Sequence, residues 1–337
     1  MQIRRVQRKG RQEDVDEDRP RRVACWSMSE RFGDYELLRP LARGGMAELF
    51  IAMHRESGQK LVLKRLLADM ENRQEVVDLF LTEADIGQLL RHENVVRVLD
   101  AGEVDGHYFL VMEYIDGLDG DHVLADARRE HKIIPPRVAL RVAVDALRGL
   151  HFAHELRSPQ GTHFGLVHRD VSPDNLFLTS SGLTKVADFG IAKLSMFEGA
   201  TQVGLLKGKL SYMAPEQVQG KALDGLADGY ALSLVLYEML SLVRPWARRP
   251  GESEVEQLIR ISRGSMRSLS SLEPDLPRPL TRTIGKMLRS WRFWRFGSCS
   301  AYADALERSA RSAGLLGSHA DVAAHVAAVR ARIAPKR

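Results

Sequence analysis

The chain has 337 residues, of which 44% are hydrophobic and 28% charged, with a net charge of +5. These are the values of an ordinary globular protein long enough for a substantial core. Two cysteines, Cys25 and Cys299, argue against a disulfide or zinc framework and for a reducing compartment, and no segment is apolar enough for a membrane span or a signal core. The expected location is the cytoplasm.

In chain order, the first segment is a charged arm. Arg4, Arg5, Arg8, Lys9 and Arg11, then Arg19, Arg21 and Arg22, flank an acidic run from Glu13 to Asp18. This composition reads as solvated and disordered over residues 1–31, not as a patch for nucleic acid or membrane, so neither is expected as a partner. Met28 stands just ahead of the first strand and is a candidate initiator. Intact mass of the native protein would reject that if residues 1–27 were present.

From Tyr35 to Tyr114 short strand-like runs dominate: Glu48 to Met53, Leu61 to Leu66, Val95 to Leu99 and Tyr108 to Met112. One helical stretch, Val76 to Leu90, interrupts them. Leu41 to Leu49, which lies between two strand-like runs, holds Gly44 and Gly45. Glycine there lets a turn come close enough for backbone N–H groups to meet phosphate oxygens, although a plain hairpin turn has the same composition. Val62 and Lys64 share one face of their strand. Glu83 lies on the helical stretch, and Asp85 points to a different face of it. After Ile115-Asp116-Gly117 long helical patterns take over, such as Pro136 to His154 and Asp228 to Leu242. A small β-rich lobe (34–114) and a larger helical lobe (115–311) are expected, an α+β bilobal architecture. Beyond them, Val322, Val326, Val329 and Ile333 form one stripe at helical spacing, which predicts a packing helix within a C-terminal extension, 312–337.

The segment His168 to Gly190 carries the most chemistry. Leu176–Thr179 and Thr184–Ala187 suit paired strands, with Ser181-Gly182 as the turn. Folded as a hairpin, they bring Asn175 and Asp188 to the same open end. Two oxygen ligands side by side suit Mg²⁺, which takes a carboxylate or two together with substrate phosphates. Asp170, five residues before Asn175 on the same loop, could accept a proton from a hydroxyl.

His168-Arg169-Asp170 with Asn175, followed by Asp188-Phe189-Gly190, resembles the H-R-D-x-x-x-x-N and D-F-G elements of the protein kinases. Ala214-Pro215-Glu216 matches the A-P-E element that separates protein kinases from small-molecule kinases of the same fold. The chain is thus similar to the bacterial Hanks-type (eukaryotic-like) serine/threonine protein kinases, from about Tyr35 to Ala310. The resemblance implies ATP and Mg²⁺, with Mn²⁺ as an alternative ion, protein substrates, and a transient homodimer for trans-autophosphorylation. It implies that Asp170 orients and deprotonates the substrate hydroxyl and that Asn175 and Asp188 hold the metal. Lys64 would meet the α- and β-phosphates, Glu83 would pair with Lys64, and Val62 would lie over the adenine. Met112 would guard the back of the adenine pocket, and Glu113 and Ile115 would offer it backbone hydrogen bonds. Leu41, Gly44, Gly45 and Leu49 would form the nucleotide-covering loop. Ala42 and Ala47 replace two of the family's three glycines there, which predicts a stiffer loop.

The resemblance also implies that Arg295 pairs with Glu216 and that Asp228 holds the H-R-D backbone, although Asp228 could equally cap its helix. It implies an activating phosphate for Arg169, with Thr201 favoured over Ser195 as the acceptor. Two positions depart from the family together. Ser172 stands where a lysine follows the catalytic aspartate, and Lys209 stands where a threonine precedes A-P-E. This reads as an exchanged pair, with Lys209 supplying charge at the γ-phosphate and touching Ser172. The competing reading is an inactive, ATP-binding scaffold, which predicts loss of Lys64, Asp170 or Asp188. All three are present.

Overall fold

The structure is a computed structural model that describes residues 29–158, 160–189, 209–264 and 266–334; of Lys209 it describes the backbone alone. Ser195, Thr201, Met28 and the Lys209 side chain, each singled out above, lie outside the described residues.

The small lobe consists of β1 (Glu30–Phe32), β2 (Tyr35–Arg43), β3 (Ala47–His54), β4 (Lys60–Leu66), α1 (Ala68–Glu71), α2 (Gln74–Leu89), β5 (Val98–Val104) and β6 (His107–Glu113). Its strands form one antiparallel sheet in the order β1-β2-β3-β4-β6-β5. Alternation along β4 assigns its faces: Leu61 and Leu63 are buried with Phe32, Tyr35 and Phe109, while Val62 packs on the side occupied by α2. That helix buries Val76, Val77, Phe80 and Ala84 against the sheet. It lies so close to β5 that a Cβ on Gly87 would sit 2.5 Å from Val98 Cγ2. β1 starts at Glu30, inside the stretch expected to be an unstructured arm, and Arg65 of β4 holds Glu30 at 3.0 Å.

The strand expected over Val95–Leu99 begins only at Val98. Its first residues pair elsewhere: Val96 N donates to Val186 O and Val186 N donates to Asn94 O, both at 2.9 Å. That partner is ninety positions away in sequence, so local patterning could not separate the two roles.

The large lobe follows with β7 (Gly117–Asp119), α3 (Gly120–Arg129), α4 (Pro136–His154), β8 (Leu176–Thr179), β9 (Thr184–Val186), α5 (Pro215–Val218), α6 (Gly225–Ser241), α7 (Glu254–Arg263), α8 (Leu269–Leu272), α9 (Arg278–Met287), α10 (Cys299–Ser312) and α11 (His319–Ile333). β7, β8 and β9 form a second antiparallel sheet. α6 is buried on every side from Ala227 to Leu240, as expected of a helix apolar all round, and α4 packs along it. Asp224 caps α6 by accepting from Leu226 N, so Asp228 sits inside the helix and is not its cap. No described helix is long and apolar enough to cross a membrane.

α11 buries Val322, Val326 and Val329, while Ile333 at its end stays exposed. Arg330 donates to Asp116 Oδ1 at 2.6 Å, to Ser180 Oγ at 2.9 Å and to the Gly117 carbonyl at 3.1 Å. Arg332 binds Asp126 of α3 at 2.6 Å. The turn between β8 and β9 meets the start of the same helix. Gly182 there has φ +90°, and a Cβ on it would lie 1.8 Å from His319 O. Only glycine combines that backbone with that approach.

Candidate active site

The cleft between the lobes is built from both sheets. On the small-lobe side, β2 and β3 are joined at Gly44, Gly45 and Met46, with Gly44 N donating to Ala47 O at 2.8 Å. Ala42 pairs with Leu49 across this hairpin, and Leu41 is largely exposed before it. β4 places Val62 opposite Met112 of β6 and Lys64 opposite Leu110. Met112 is buried against α2, and the strand ends at Glu113. The Glu113 carboxylate accepts from Arg97 N and Lys185 Nζ, both at 2.8 Å. Ile115 follows in the connection to the large lobe.

Lys64 and Glu83 form the main ion pair of this wall, with Nζ 2.6 Å from Oε1 and both side chains largely buried. Burial by itself would lower the Lys64 pKa. The carboxylates of Glu83 and then Asp188 outweigh it and raise that pKa above the ordinary lysine value, so the ammonium stays charged. A fixed cation in a partly dry cleft, with spare donors beyond its one partner, suits phosphate oxygens.

On the large-lobe side, the hairpin of β8 and β9 closes with Ala187 N donating to Asn175 O at 2.9 Å, which sets Asp188 beside Asn175. Asp188 is exposed and has φ +53°, a conformation that turns it out of the strand direction. Asn175 is buried, and its amide donates to Asp170 O at 2.8 Å and Asp170 Oδ2 at 3.2 Å. With the nitrogen committed to Asp170, the Asn175 Oδ1 is the atom left to face a cation. One amide oxygen and one carboxylate, without a full protein cage, fit Mg²⁺ carried in with phosphates.

The loop carrying Asp170 is held from below. Asp228, 1% exposed, accepts from His168 N and Arg169 N, each at 2.8 Å, and from His154 Nε2 at 2.7 Å. His168 is buried, meets Ala187 O through Nε2 at 2.8 Å, and lies against Phe189 with ring centroids 4.6 Å apart. Arg169 takes φ +65°, and its Nε is buried with no acceptor among the described residues. The Ser172 hydroxyl is buried and donates to Asp174 Oδ1 and to Asp170 O. On the far side, Arg295 grips Glu216 through two parallel bonds of 2.6 and 2.7 Å, both residues almost wholly buried.

Sequence reasoning missed three supports. His154 closes the Asp228 cluster from the end of α4, where a polar residue reads as solvent-facing. Asp145 of α4 accepts from Thr184 N at 3.4 Å and meets His319 of α11 at 3.1 Å, tying β9 to the C-terminal helix. Glu238, with no exposure, accepts from Tyr212 Oη at 2.6 Å and from Arg244, anchoring the stretch just before A-P-E. An acidic residue inside an apolar helical run was the available signal for Glu238, because burial demands such partners.

A family model for the protein kinase domain matches residues 35–305. Tyrosine-protein kinase MasK of Myxococcus xanthus is 41% identical over 82% of this chain and 43% of its own length. Serine/threonine-protein kinase PrkC of Bacillus subtilis is 30% identical over 78% of this chain and 38% of its own. The chain therefore spans about two fifths of the length of these curated relatives. Among solved structures, the PknI kinase domain of Mycobacterium tuberculosis superposes with a TM-score of 0.61 at 30% identity, covering 83% of this chain and 97% of that one.

Proposed function

Since the chain belongs to the protein kinase family, we propose that it transfers the γ-phosphate of Mg·ATP to serine and threonine hydroxyls of proteins. The observation that carries this reading is the closed Lys64–Glu83 pair with the Asp188 carboxylate acting on the same ammonium. A scaffold that only binds ATP could keep that pair, but it would not need Asp170 on the facing loop, where the Asn175 amide holds it.

In this reading Lys64, held by Glu83, orients the α- and β-phosphates, and Val62 and Met112 line the adenine slot, with the backbone of Glu113 and Ile115 as its hydrogen-bonding edge. Leu41, Gly44, Gly45 and Leu49 cover the phosphates. Asn175 and Asp188 hold Mg²⁺, which neutralises charge on the phosphate oxygens. Asp170, steadied by Asn175, takes the proton of the incoming hydroxyl. Glu216 with Arg295, and Asp228, keep these loops in place. The buried Arg169 Nε, which has no acceptor among the described residues, supports a phosphorylated residue as its acceptor, with Thr201 or Ser195 as the candidates. Supply of that phosphate by a second copy would require only a transient dimer.

A tyrosine-directed activity is the second reading, favoured by the 41% identical relative MasK, a tyrosine-protein kinase, and by the absence of a lysine at Ser172. Incubation with Mg·ATP and a mixed protein substrate, followed by phosphoamino-acid analysis and phosphosite mapping, separates the two. Phosphoserine and phosphothreonine, with modification at Thr201 or Ser195, are expected. Phosphotyrosine alone would move the assignment to the second reading, and no transfer at all would defeat both.

The exchange of Ser172 and Lys209 belongs to the same reading: an ammonium at Lys209 supplies the γ-phosphate charge that the family draws from the other loop. Lys209→Thr is expected to cost at least about tenfold in kcat, equivalent to ~1.4 kcal/mol of transition-state stabilisation. Adding Ser172→Lys is expected to restore most of it. If the double variant is no better than the single one, the two positions do not compensate. The Ser172 hydroxyl now serves Asp174 and Asp170, so stability of both variants is the control.

A further inference from the structure

The face of the large lobe formed by α9 and the turn after it has no role in the chemistry above, and its composition is unusual. From Arg278 to Gly297 there are six cations and no acidic residue. Arg278, Arg282 and Lys286 recur every four residues along α9, and Arg289 follows at the next step of the same exposed side. Among the described residues none of these four has a carboxylate partner. Beyond them the helical turn Arg292–Trp294 presents Trp291, Phe293 and Trp294 with 74%, 81% and 65% of their surface in water.

The inversion of polarity in this turn has a structural cause. Arg295, the charged residue among these rings, is 4% exposed and is engaged with Glu216. Its Nε donates to Arg289 O at 2.8 Å and its Nη2 to Ser290 O at 3.3 Å, so the guanidinium ties the start of the turn inward. Trp294 N closes the turn onto Trp291 O at 3.0 Å. The aromatic side chains are left on the solvent side of this hydrogen-bonded turn. Arg289 lies 5.5 Å from the Trp294 ring and Arg292 lies 5.1 Å from that of Phe293, which makes cations and rings one continuous surface.

We propose that this surface docks on an anionic lipid bilayer, with Trp291, Phe293 and Trp294 seated among the headgroups and Arg278, Arg282, Lys286 and Arg289 on lipid phosphates. Tryptophan is at home at the headgroup level, where its ring is apolar and its N–H finds a partner. Three exposed aromatic side chains beside cations that have no carboxylate partner among the described residues are complementary to a negative leaflet. Because hydrogen bonds from Arg295 and Trp294 N already fix the fold of the turn, little ordering is left to oppose docking. The expectation of no membrane partner came from the charged arm over residues 1–31, and this surface lies elsewhere in the chain, on the large lobe.

The test is co-sedimentation of the full chain with phosphatidylcholine vesicles with and without phosphatidylglycerol, at low and high salt. Binding to the anionic vesicles is expected to be at least about tenfold tighter than to the neutral ones and to fall as salt rises. Trp291→Ser, Phe293→Ser and Trp294→Ser together should remove it with the melting temperature unchanged. A second variant with Arg278→Gln, Arg282→Gln and Lys286→Gln should abolish the preference for phosphatidylglycerol. In the unmodified protein, brominated lipid should quench tryptophan emission, a readout that does not depend on any variant. Equal binding to both vesicle types would overturn the proposal. Binding that survives the aromatic variant would place the contact elsewhere, in residues 1–28 for example. Loss in that variant of self-association or of oligonucleotide binding, with no vesicle binding to begin with, would assign the surface to a second copy or to nucleic acid instead.

Discussion

Asp170→Asn is expected to lower kcat by about 10²–10⁴ and to leave the KM for ATP and the melting temperature nearly unchanged. The substitution keeps the size of the side chain and an oxygen to accept from the Asn175 amide, 3.2 Å away, while the stronger bond from that amide goes to the Asp170 carbonyl at 2.8 Å and is untouched. What disappears is the ability to take up a proton. The Lys64–Glu83 pair, on the opposite wall, still receives the phosphates. Steady-state kinetics with a protein substrate checks this. A variant within a few-fold of the unsubstituted enzyme would mean that Asp170 is not the proton acceptor, and a large rise in KM at constant kcat would mean that it acts in binding.

The second large effect is on stability. Asp228→Ala strips an acceptor from two backbone N–H groups and from His154, all in the core. Leaving such donors buried and unpaired costs about 3–5 kcal/mol. Against a total of roughly 5–15 kcal/mol, that predicts a fall of about 10 °C in Tm. Activity should fall too, because those bonds hold Arg169 at φ +65°, a conformation that costs of order 1–3 kcal/mol and relaxes when released. Asp228→Asn, which keeps one acceptor, should lie between.

The same cluster gives a pH dependence. Burial by itself would lower the His154 pKa, but the hydrogen bond to Asp228, with Cys299 close by, more than reverses that and pushes it up to about 10. An unfolded histidine titrates near 6.5. The folded pKa is the higher one, so the contribution is fully present below about 6.5 and disappears as pH rises through about 10. The difference in Tm between the unsubstituted protein and Asp228→Ala should therefore shrink on raising the pH across that window. A difference that grows instead would show that the pair is not ionised as described.

How far the sequence could be read follows from the range of each interaction. α2, α4 and the hairpin of β8 and β9 are set by periodicity and a turn within a few residues, and they stand close to where the pattern puts them. Asn175 and Asp188 meet because the hairpin register requires it. His154 and Asp145 were illegible for the opposite reason. Their partners lie 74 and 174 positions away, and a lone polar side chain on a helix carries no local mark of burial. Arg295 is the sharpest case, since the aromatic residues around it suggest an apolar segment in which the arginine faces water. The ion pair with Glu216 reverses which of them is inside. Resemblance to a family supplied that pairing, while the exposure of its neighbours was visible only in three dimensions.

The last helix changes what counts as a module here. The family match ends at residue 305, yet α11 inserts three valines into the large lobe and its Arg330 reaches Asp116 and Gly117, in the connection between the lobes. A chimera joined at the family boundary would carry an uncapped hydrophobic trench along α3 and α4. It would also lose the only contact, among the described residues, that Asp116 makes with an arginine. Transplanting this catalytic unit into another protein, or comparing its stability with that of relatives trimmed at the shared boundary, is sound only if the graft runs through Ile333.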